Sequence, residues 1–261
     1  MRSNFLMKKR LYSGGILLVL VLLAFGAASM TEFSLAKCFS SIPKAIVWSL
    51  GNFYPVADSF AKLPDILAKL QETLLISIAS ASVAAIIALV FALIGSRVTK
   101  INNFLAALSR LIANIFRNID VSIWALVLLF SFGQSSLTGY FALFVASFGF
   151  LTRAFMETID EVGADTVEAL RATGANFFSI VFQAVIPMSV SQLISWVLFM
   201  IETNIRAATL VGILTGSGIG FVFDLYYKKM DYHSASLVVL SIVLSILLIE
   251  QISNYVRRAM L

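Results

Sequence analysis

Charged residues are scarce in this chain, and cysteine and histidine are almost absent. Asp, Glu, Lys and Arg make up 13% of the 261 residues, whereas 60% are hydrophobic and the mean hydropathy is +0.95. Soluble domains carry about 25% charged residues. A chain this apolar is therefore predicted to be a membrane protein rather than a soluble globular one.

The lack of cysteine and histidine excludes several kinds of site. Cys38 is the single cysteine, so an intrachain disulfide framework is ruled out. His233, the single histidine, follows Tyr232 near the start of an apolar run, where it is either an interfacial polar residue or a ligand or relay. No paired carboxylates, nucleophile–base set or metal cluster is evident, so the sequence predicts neither an enzyme nor a bound cofactor.

The sequence contains several long apolar runs. A helix that crosses a bilayer needs about 20 mostly apolar residues. Six stretches qualify and predict an all-α, polytopic fold, at residues 11–30, 73–96, 104–133, 137–156, 185–212 and 233–256. The third is irregular, because Arg110, Arg117 and Asp120 lie in its first half. Residues 104–118 are accordingly compatible with an interfacial helix that precedes the span proper. Arg110 and Arg117 are seven residues apart on one face, and a cytoplasmic or inner-vestibule position is favoured for them over a role as substrate ligands.

The net charge of +5 reflects membrane orientation rather than nucleic-acid binding. Basic residues gather at one side of a six-span topology, at Arg2, Lys8, Lys9, Arg10, Arg97, Lys100, Arg153, Arg171, Arg257 and Arg258. The side rich in Lys and Arg is normally cytoplasmic. We therefore predict a multi-pass protein of the cytoplasmic membrane with both termini inside. The first run also resembles a secretory signal ending in a small-residue cleavage site, which is the alternative for residues 1–29.

Two regions are distinguished along the chain. Residues 1–72 are predicted to hold the first span and an external segment, and residues 73–261 the transport core with five spans. The external segment 32–72 is rich in aromatic residues and interrupted by proline, so short helices on the outer leaflet are expected. A short external loop with Lys228 and Lys229 is expected between the last two spans.

A polar insert separates the fourth and fifth spans. The run 165–173 favours a helix, Gly174 is expected to end it, and Asn176 is a candidate cap for a second helix. Pro187 lies near the start of the fifth span, where a missing N–H costs little. Two interpretations remain, an ordinary solvated loop or a segment on which another protein docks.

The same insert carries a family resemblance. Glu168 and Ala169, with Gly174 six residues on and the Ile186–Pro187 pair at its end, resemble the cytoplasmic coupling motif of permease subunits in binding-protein-dependent ABC importers. Departures are small and include Leu170 where the family usually has Ala. The resemblance implies a type I importer permease fold with coupling helices at about 157–184. It also implies that Glu168, Ala169, Leu170, Gly174 and Pro187 belong to the region that meets an ATP-binding subunit.

A second polar group lies inside the fifth span. Glu202 and Arg206 are four residues apart, and Asn204 stands between them. A charge at mid-membrane costs roughly 2.5–3.5 kcal/mol on insertion scales, so these side chains must face protein or water. Two interpretations are compatible with the pattern: a structural ion pair, or an anion pathway in which Glu202 holds Arg206 between passages. A guanidinium suits phosphate-like oxyanions because its donors match their oxygens.

The sequence of the fifth span points to one family among the ABC importer permeases. The run FMIETNIRAATLVG, followed by GSGIG, is similar to the permeases of phosphonate importers, as are RATGAN, NFYPVADSF and the region of Arg117. The likeness extends from about residue 53 onward. The chain departs from that family at Asp120 and Val121, and at Thr215 and Ser217, which replace glycines. Arg117 joins Glu202, Asn204 and Arg206 as candidates for the substrate path by this resemblance.

The cluster Gly212, Gly216, Gly218 and Gly220 is not a nucleotide-binding loop, because no strand precedes it and no Gly-Lys-Ser/Thr follows. It predicts either a flexible external gate or a close approach of two helices. ATP and its magnesium are thus expected on a partner chain.

The combined expectation is a homodimeric permease with two ATP-binding subunits and an extracytoplasmic binding protein, which carries a phosphonate, phosphite or phosphate-like oxyanion. An importer permease for another solute, such as an amino acid, and an ATP-independent secondary transporter or channel are the alternatives.

Overall fold

A computed structural model of the protein describes residues 2–31, 33–162 and 164–260. Within these ranges the regular structure is helical throughout. The chain divides into two units, Met1–Phe53 and Tyr54–Leu261. The division lies earlier than the boundary that the sequence analysis drew between residues 72 and 73.

The first unit contains two helices, α1 (Arg2–Met30) and α2 (Leu35–Asn52). The apolar side chains described on α1, such as Leu17 and Phe25, are largely exposed within the chain, as expected of a helix surrounded by lipid. Helix α2 begins at Ser34, whose hydroxyl accepts a hydrogen bond from the Lys37 amide, and it contains Pro43. Cys38 lies on its exposed surface.

The second unit contains the remaining helices. They are α3 (Ala57–Phe60), α4 (Leu63–Gly95), α5 (Asn103–Asn118), α6 (Val121–Phe132), α7 (Ser136–Val162), α8 (Ala164–Ala172), α9 (Phe177–Ile180), a π-helical turn (Val181–Val185), α10 (Ile186–Thr215), α11 (Gly218–Lys228) and α12 (Tyr232–Met260). By length and composition, five of the described helices are able to cross a membrane, or six if α5 and α6 form one bent span.

Helix α7 is the centre of the second unit and packs against α4, α5, α6 and α10. The helix α4 meets it with Ala81, Ala84, Ala88 and Ala92, all fully buried in the main hydrophobic cluster. Small residues at three- and four-residue spacing let two helix backbones approach closely inside a membrane. The apolar sequence of α4 therefore serves helix packing on one face and lipid contact on the other.

The predicted third span is broken rather than straight. Helices α5 and α6 meet at an angle of 93°. Asp120 stands in the break, and its carboxylate accepts a hydrogen bond from the Ser122 amide, which begins α6. The sequence predicted this irregularity.

Two other boundaries differ from the sequence prediction. Helix α4 starts at Leu63, earlier than the predicted residue 73, because Pro64 is accommodated in its first turn and Lys69 pairs with Glu72 across 2.7 Å. The predicted short loop before the last span is wrong, because α11 occupies most of it and packs against α4, α10 and α12.

An ion pair joins the residue before α4 to the residue before α12, at the end of α4 opposite Gly95. Lys62 pairs with Asp231, and the Lys62 ammonium also donates to the Ser234 hydroxyl at 2.8 Å. Burial raises the pKa of the Asp231 carboxyl, but its hydrogen bonds with Lys62 and Ser234 outweigh that effect and leave the pKa below its ordinary value. Nearby, the His233 Nδ1 lies 2.8 Å from the Tyr54 carbonyl oxygen. His233 thus makes a contact within the fold, and its interfacial position stays a prediction.

Candidate functional site

Gly174 ends helix α8 as predicted. Its φ is +81°, in the left-handed region that glycine adopts without strain. The Gly174 amide donates to the Arg171 carbonyl at 3.0 Å, and the Ala175 amide donates to the Leu170 carbonyl at 3.1 Å. These two bonds form a Schellman motif, which satisfies the last carbonyls of the helix. A Cβ on Gly174 would meet nothing within 4 Å, so the glycine is needed for its backbone and not for packing within the chain.

The two faces of α8 have different surroundings. Val167 is 2% exposed, and Leu170 packs beside it against the main hydrophobic cluster. Glu168 and Ala169 point away from that cluster and are exposed. The helix is therefore anchored by one face and offers the other, with Gly174, as an outer surface. We call the residues 157–184 the coupling segment.

The rest of the coupling segment follows the predicted pattern. Asn176 accepts a hydrogen bond from the Ser179 amide at 2.8 Å and begins α9. A π-helical turn joins α9 to α10, with the Ile186 amide donating to the Val181 carbonyl. Pro187 lies in the first turn of α10 and lacks an N–H, so an ordinary helical bond to residue 183 is impossible there. Phe178 and Phe182 are 69% and 64% exposed on this segment.

Side chains on α5, α7 and α8 form hydrogen bonds with the loop between α4 and α5 or with the end of α4. The sequence did not predict these contacts. The Asp160 carboxylate on α7 accepts from the Ser96 hydroxyl at 2.5 Å and from the Arg97 amide at 2.7 Å. Arg171 on α8 donates to the Val98 carbonyl at 2.7 Å, and Arg110 on α5 donates to the Gly95 carbonyl at 2.7 Å. Helix α8 is therefore bonded to the loop that follows α4.

A pocket of about 410 Å³ opens beside this loop. It is lined by Arg97, Arg110, Arg153, Met156, Glu157, Asp160 and Glu161. Arg110 therefore lies at the end of the bundle that carries the coupling segment, and its position in an inner vestibule stays a prediction.

Glu202 and Arg206 form the predicted pair on α10. The Arg206 Nη1 lies 2.5 Å from the Glu202 Oε1. The Glu202 side chain is 14% exposed, whereas the Arg206 side chain is 44% exposed and therefore open on one side. Arg257 on α12 approaches the other carboxylate oxygen of Glu202, at 3.9 Å. We call Glu202, Arg206 and Arg257 the polar cluster.

Asn204 does not join the polar cluster. It is 1% exposed, and its amide nitrogen lies 3.2 Å from the Ser80 hydroxyl and 2.8 Å from the Ser147 hydroxyl. Two residues along a helix point in nearly opposite directions, so Asn204 faces α4 and α7 while Glu202 and Arg206 face away. Its position is that of a connection between three helices.

Arg117 is also separate from the polar cluster. It lies in the last turn of α5, with its guanidinium carbon 6.0 Å from the centre of the Phe150 ring on α7. In the described part of the chain, no hydrogen bond or ion pair joins it to Glu202 or Arg206. Of the four residues that the resemblance assigned to the substrate path, the structure brings together Glu202 and Arg206.

The four clustered glycines form the close turn between α10 and α11. Gly216 ends α10 with φ +67°, and Gly218 begins α11 with φ +61°. A Cβ on Gly220 would collide with the Thr209 carbonyl, and one on Gly212 would collide with the Ser217 carbonyl. The glycines therefore allow the close helix approach that was one of the two predictions. A role as a gate stays a prediction.

Comparison with known proteins identifies the family. Residues 88–260 match the family described as the binding-protein-dependent transport system inner membrane component. The chain belongs to this family. The family match confirms the sequence-based prediction of a multi-pass permease. The family is a component of transport systems.

Three named permeases illustrate the relationship. The phosphite transport system permease protein PtxC of Stutzerimonas stutzeri is 29% identical over 189 residues, which are 72% of this chain and 69% of that protein. The putative phosphite transport system permease protein HtxC of the same organism is 26% identical over 96% of this chain and 87% of its own length. The phosphate-import permease protein PhnE of Mycolicibacterium smegmatis is 27% identical over 55% of this chain and 27% of its own length.

Solved structures share the fold. The inward-facing MetNI methionine ABC transporter matches with a TM-score of 0.67 and 23% identity, covering 75% of this chain and 96% of that chain. An amino acid ABC transporter crystallised with histidines matches with a TM-score of 0.66 and 14% identity, covering 77% and 96%. These likenesses confirm the predicted all-α importer permease fold of this binding-protein-dependent permease.

Proposed function

We propose that this chain is the transmembrane subunit of an ABC importer for a small phosphorus oxyanion, such as a phosphonate, phosphite or phosphate. The observation that carries the proposal is the open guanidinium of Arg206, held on one side by Glu202 within a helix that crosses the membrane. The relatives named as phosphite and phosphate permeases support the same class of substrate.

The chemistry of the polar cluster fits an anion. Arg206 uses Nη1 for Glu202, and its Nη2 lies 3.5 Å from the Thr203 hydroxyl, a long contact that a better acceptor displaces readily. A guanidinium offers donors in a planar fork that matches two oxygens of a phosphorus oxyanion. Glu202 holds this group between passages and yields it when the anion arrives.

The coupling segment provides the link to ATP. Val167 and Leu170 anchor α8 in the bundle, and its outer surface of Glu168, Ala169 and Gly174 contacts the ATP-binding subunit. Closure of the two ATP-binding subunits moves α8. The bond from Arg171 to the Val98 carbonyl passes that movement to α4, and Pro187 with the π-helical turn passes it to α10.

The number of coupling segments supports a dimeric assembly. One chain supplies a single coupling segment and the importer has two ATP-binding subunits, so two permease subunits are required, and a homodimer with its substrate path at the interface is the simplest arrangement. An extracytoplasmic binding protein delivers the anion from the other side. Both termini lie in the cytoplasm, and this chain binds no cofactor of its own, because the partner subunits hold ATP and magnesium.

Labelled uptake tests the proposal. Cells that carry the intact chain, no chain, or the variant Arg206→Ala are given methylphosphonate, phosphite or phosphate. Loss of uptake of at least one of these anions in both altered strains supports the proposal. Leu210→Ala is the matched control, because Leu210 lies one turn further along α10 and is 50% exposed. Unchanged uptake of all three anions in the strain without the chain contradicts the proposed substrate class.

A further inference from the structure

The last turn of α12 contributes an arginine to the polar cluster. Arg257 and Arg258 are adjacent, but Arg258 is exposed whereas the Arg257 side chain is 28% exposed. The Arg257 Nη2 lies 3.9 Å from the Glu202 Oε2, on a different helix. This position differs from a basic flank at a membrane surface, which is how the sequence pattern presented both arginines.

One carboxylate is therefore shared by two guanidinium groups. Arg206 takes one oxygen of Glu202 at 2.5 Å, and Arg257 approaches the other at 3.9 Å. The second distance allows electrostatic attraction but is too long for a hydrogen bond. The polar cluster thus carries one formal positive charge in excess, and a partly buried charge without a full partner is unfavourable.

Several donors near this cluster lack acceptors. Within the described part of the chain, the Nε and Nη2 of Arg257 and the hydroxyl of Ser253 are buried without a hydrogen-bond partner. Ser253 is 3% exposed and lies one turn before Arg257 on the same face of α12. Buried donors of this kind are nearly always paired in folded proteins, so their grouping beside an excess positive charge calls for an acceptor-rich ligand.

We propose that Arg257 is a second anion-binding residue of the substrate path, which holds the transported oxyanion together with Arg206. The ligand is a small anion with at least two acceptor oxygens, of the phosphonate, phosphite or phosphate class. It bridges α10 and α12 by accepting from the Arg206 Nη1 that Glu202 holds between passages and from the unpartnered Arg257 Nη2. This inference rests on the proposed function and adds α12 to the helices that contact the substrate.

A purely structural role for Arg257 predicts a different result. If Arg257 serves only to neutralise Glu202 and fasten α12 to α10, Arg257→Gln has no further effect once Glu202 is replaced by glutamine. Comparison of Glu202→Gln with Glu202→Gln/Arg257→Gln separates the two roles. A substrate-binding Arg257 makes the double variant clearly more defective than Glu202→Gln, whereas a structural one leaves the two variants equal.

The test uses the whole importer and the anion that the unaltered complex transports best among methylphosphonate, phosphite and phosphate. The complex is purified with its ATP-binding subunit and binding protein and reconstituted in vesicles. Uptake and ATP hydrolysis are then measured per assembled complex. Loss of charge-assisted hydrogen bonds predicts that Arg257→Gln lowers uptake by about tenfold or more while ATP hydrolysis continues. Arg257→Lys restores part of the uptake, and Arg258→Ala, the exposed neighbour, changes it little.

Three results overturn the inference. They are normal uptake by Arg257→Gln, equal uptake by Glu202→Gln and the double variant, and loss of assembly by every Arg257 variant including Arg257→Lys. Absence of uptake of all three anions by the unaltered complex instead contradicts the proposed function. The two failures are thus distinguishable.

Discussion

Arg171 on the exposed coupling helix donates a hydrogen bond from Nη2 to the Val98 carbonyl, at 2.7 Å. This bond connects α8 with the loop that follows α4, and Asp160 on α7 holds the same loop through Ser96 and Arg97. The surface proposed to meet an ATP-binding subunit is therefore joined to two of the helices that build the core.

Replacing Arg171 should weaken this connection without removing the docking surface. A hydrogen bond to a charged group contributes about 1.5–3 kcal/mol, so we expect Arg171→Ala to lower uptake by about tenfold or more. Co-purification of the ATP-binding subunit should persist. Thr173→Ala is the matched control, because its hydroxyl bonds to Leu170 within the same segment. Equal uptake by both variants contradicts a coupling role for the Arg171–Val98 bond.

Two substitutions of Gly174 distinguish the effect of backbone strain from the effect of a bulky group on the proposed docking surface. An alanine at φ +81° costs about 1–2 kcal/mol but adds little bulk, so Gly174→Ala should retain most of the ATP-binding subunit. Gly174→Trp meets no atoms of this chain near its Cβ, yet it projects from the proposed docking surface. We expect it to release the ATP-binding subunit on purification, as should Glu168→Lys. Retention by Gly174→Trp and Glu168→Lys would argue against docking at this surface.

Asn204 should affect stability through its two serine partners. Hydrogen bonds between membrane helices contribute about 0.6–1.7 kcal/mol. We expect Asn204→Ala to lower the free energy of unfolding in detergent by about 1 kcal/mol or more. The same substitution should cost less in a Ser80→Ala/Ser147→Ala background, where those bonds are already absent. Equal losses in the two backgrounds would show that the cost of Asn204→Ala is a packing effect.

The orientation is testable with the single cysteine of the chain. Cys38 is exposed on α2, so a membrane-impermeant thiol reagent should modify it in intact cells if residues 32–72 are external. A chain with Cys38→Ser and Lys100→Cys should react only after the membrane is permeabilised, because Lys100 lies on the predicted cytoplasmic side. The reverse pattern contradicts the proposed topology.

Local features of the coupling segment and of α10 were predictable from the sequence. Gly174 and Asn176 act on backbone groups within a few residues of themselves, and Glu202 and Arg206 lie one helical turn apart. Each depends on helix geometry alone, so spacing and residue type suffice. The break near Asp120 was likewise visible as polar residues inside an apolar run.

Contacts between distant segments were not predictable in the same way. The Arg171–Val98 bond joins residues 73 positions apart, and Arg257 reaches Glu202 from the end of another helix. Helix α11 was taken for a loop because its 11 residues are too few to cross a membrane and glycines precede it. Which apolar faces meet is decided by the packing of α7, and that packing has no local signature in the sequence.

Anion transport by the reconstituted importer tests the central claim most directly. Vesicles that contain the permease and its ATP-binding subunit are given ATP on the side where the ATP-binding subunit lies. Binding protein and labelled phosphite, phosphate or methylphosphonate are supplied on the opposite side. The account predicts ATP-dependent accumulation of at least one of these anions, and its loss with Arg206→Ala while Leu210→Ala remains active. Accumulation without ATP, or none of the three anions transported by an assembled and ATP-hydrolysing complex, would contradict it.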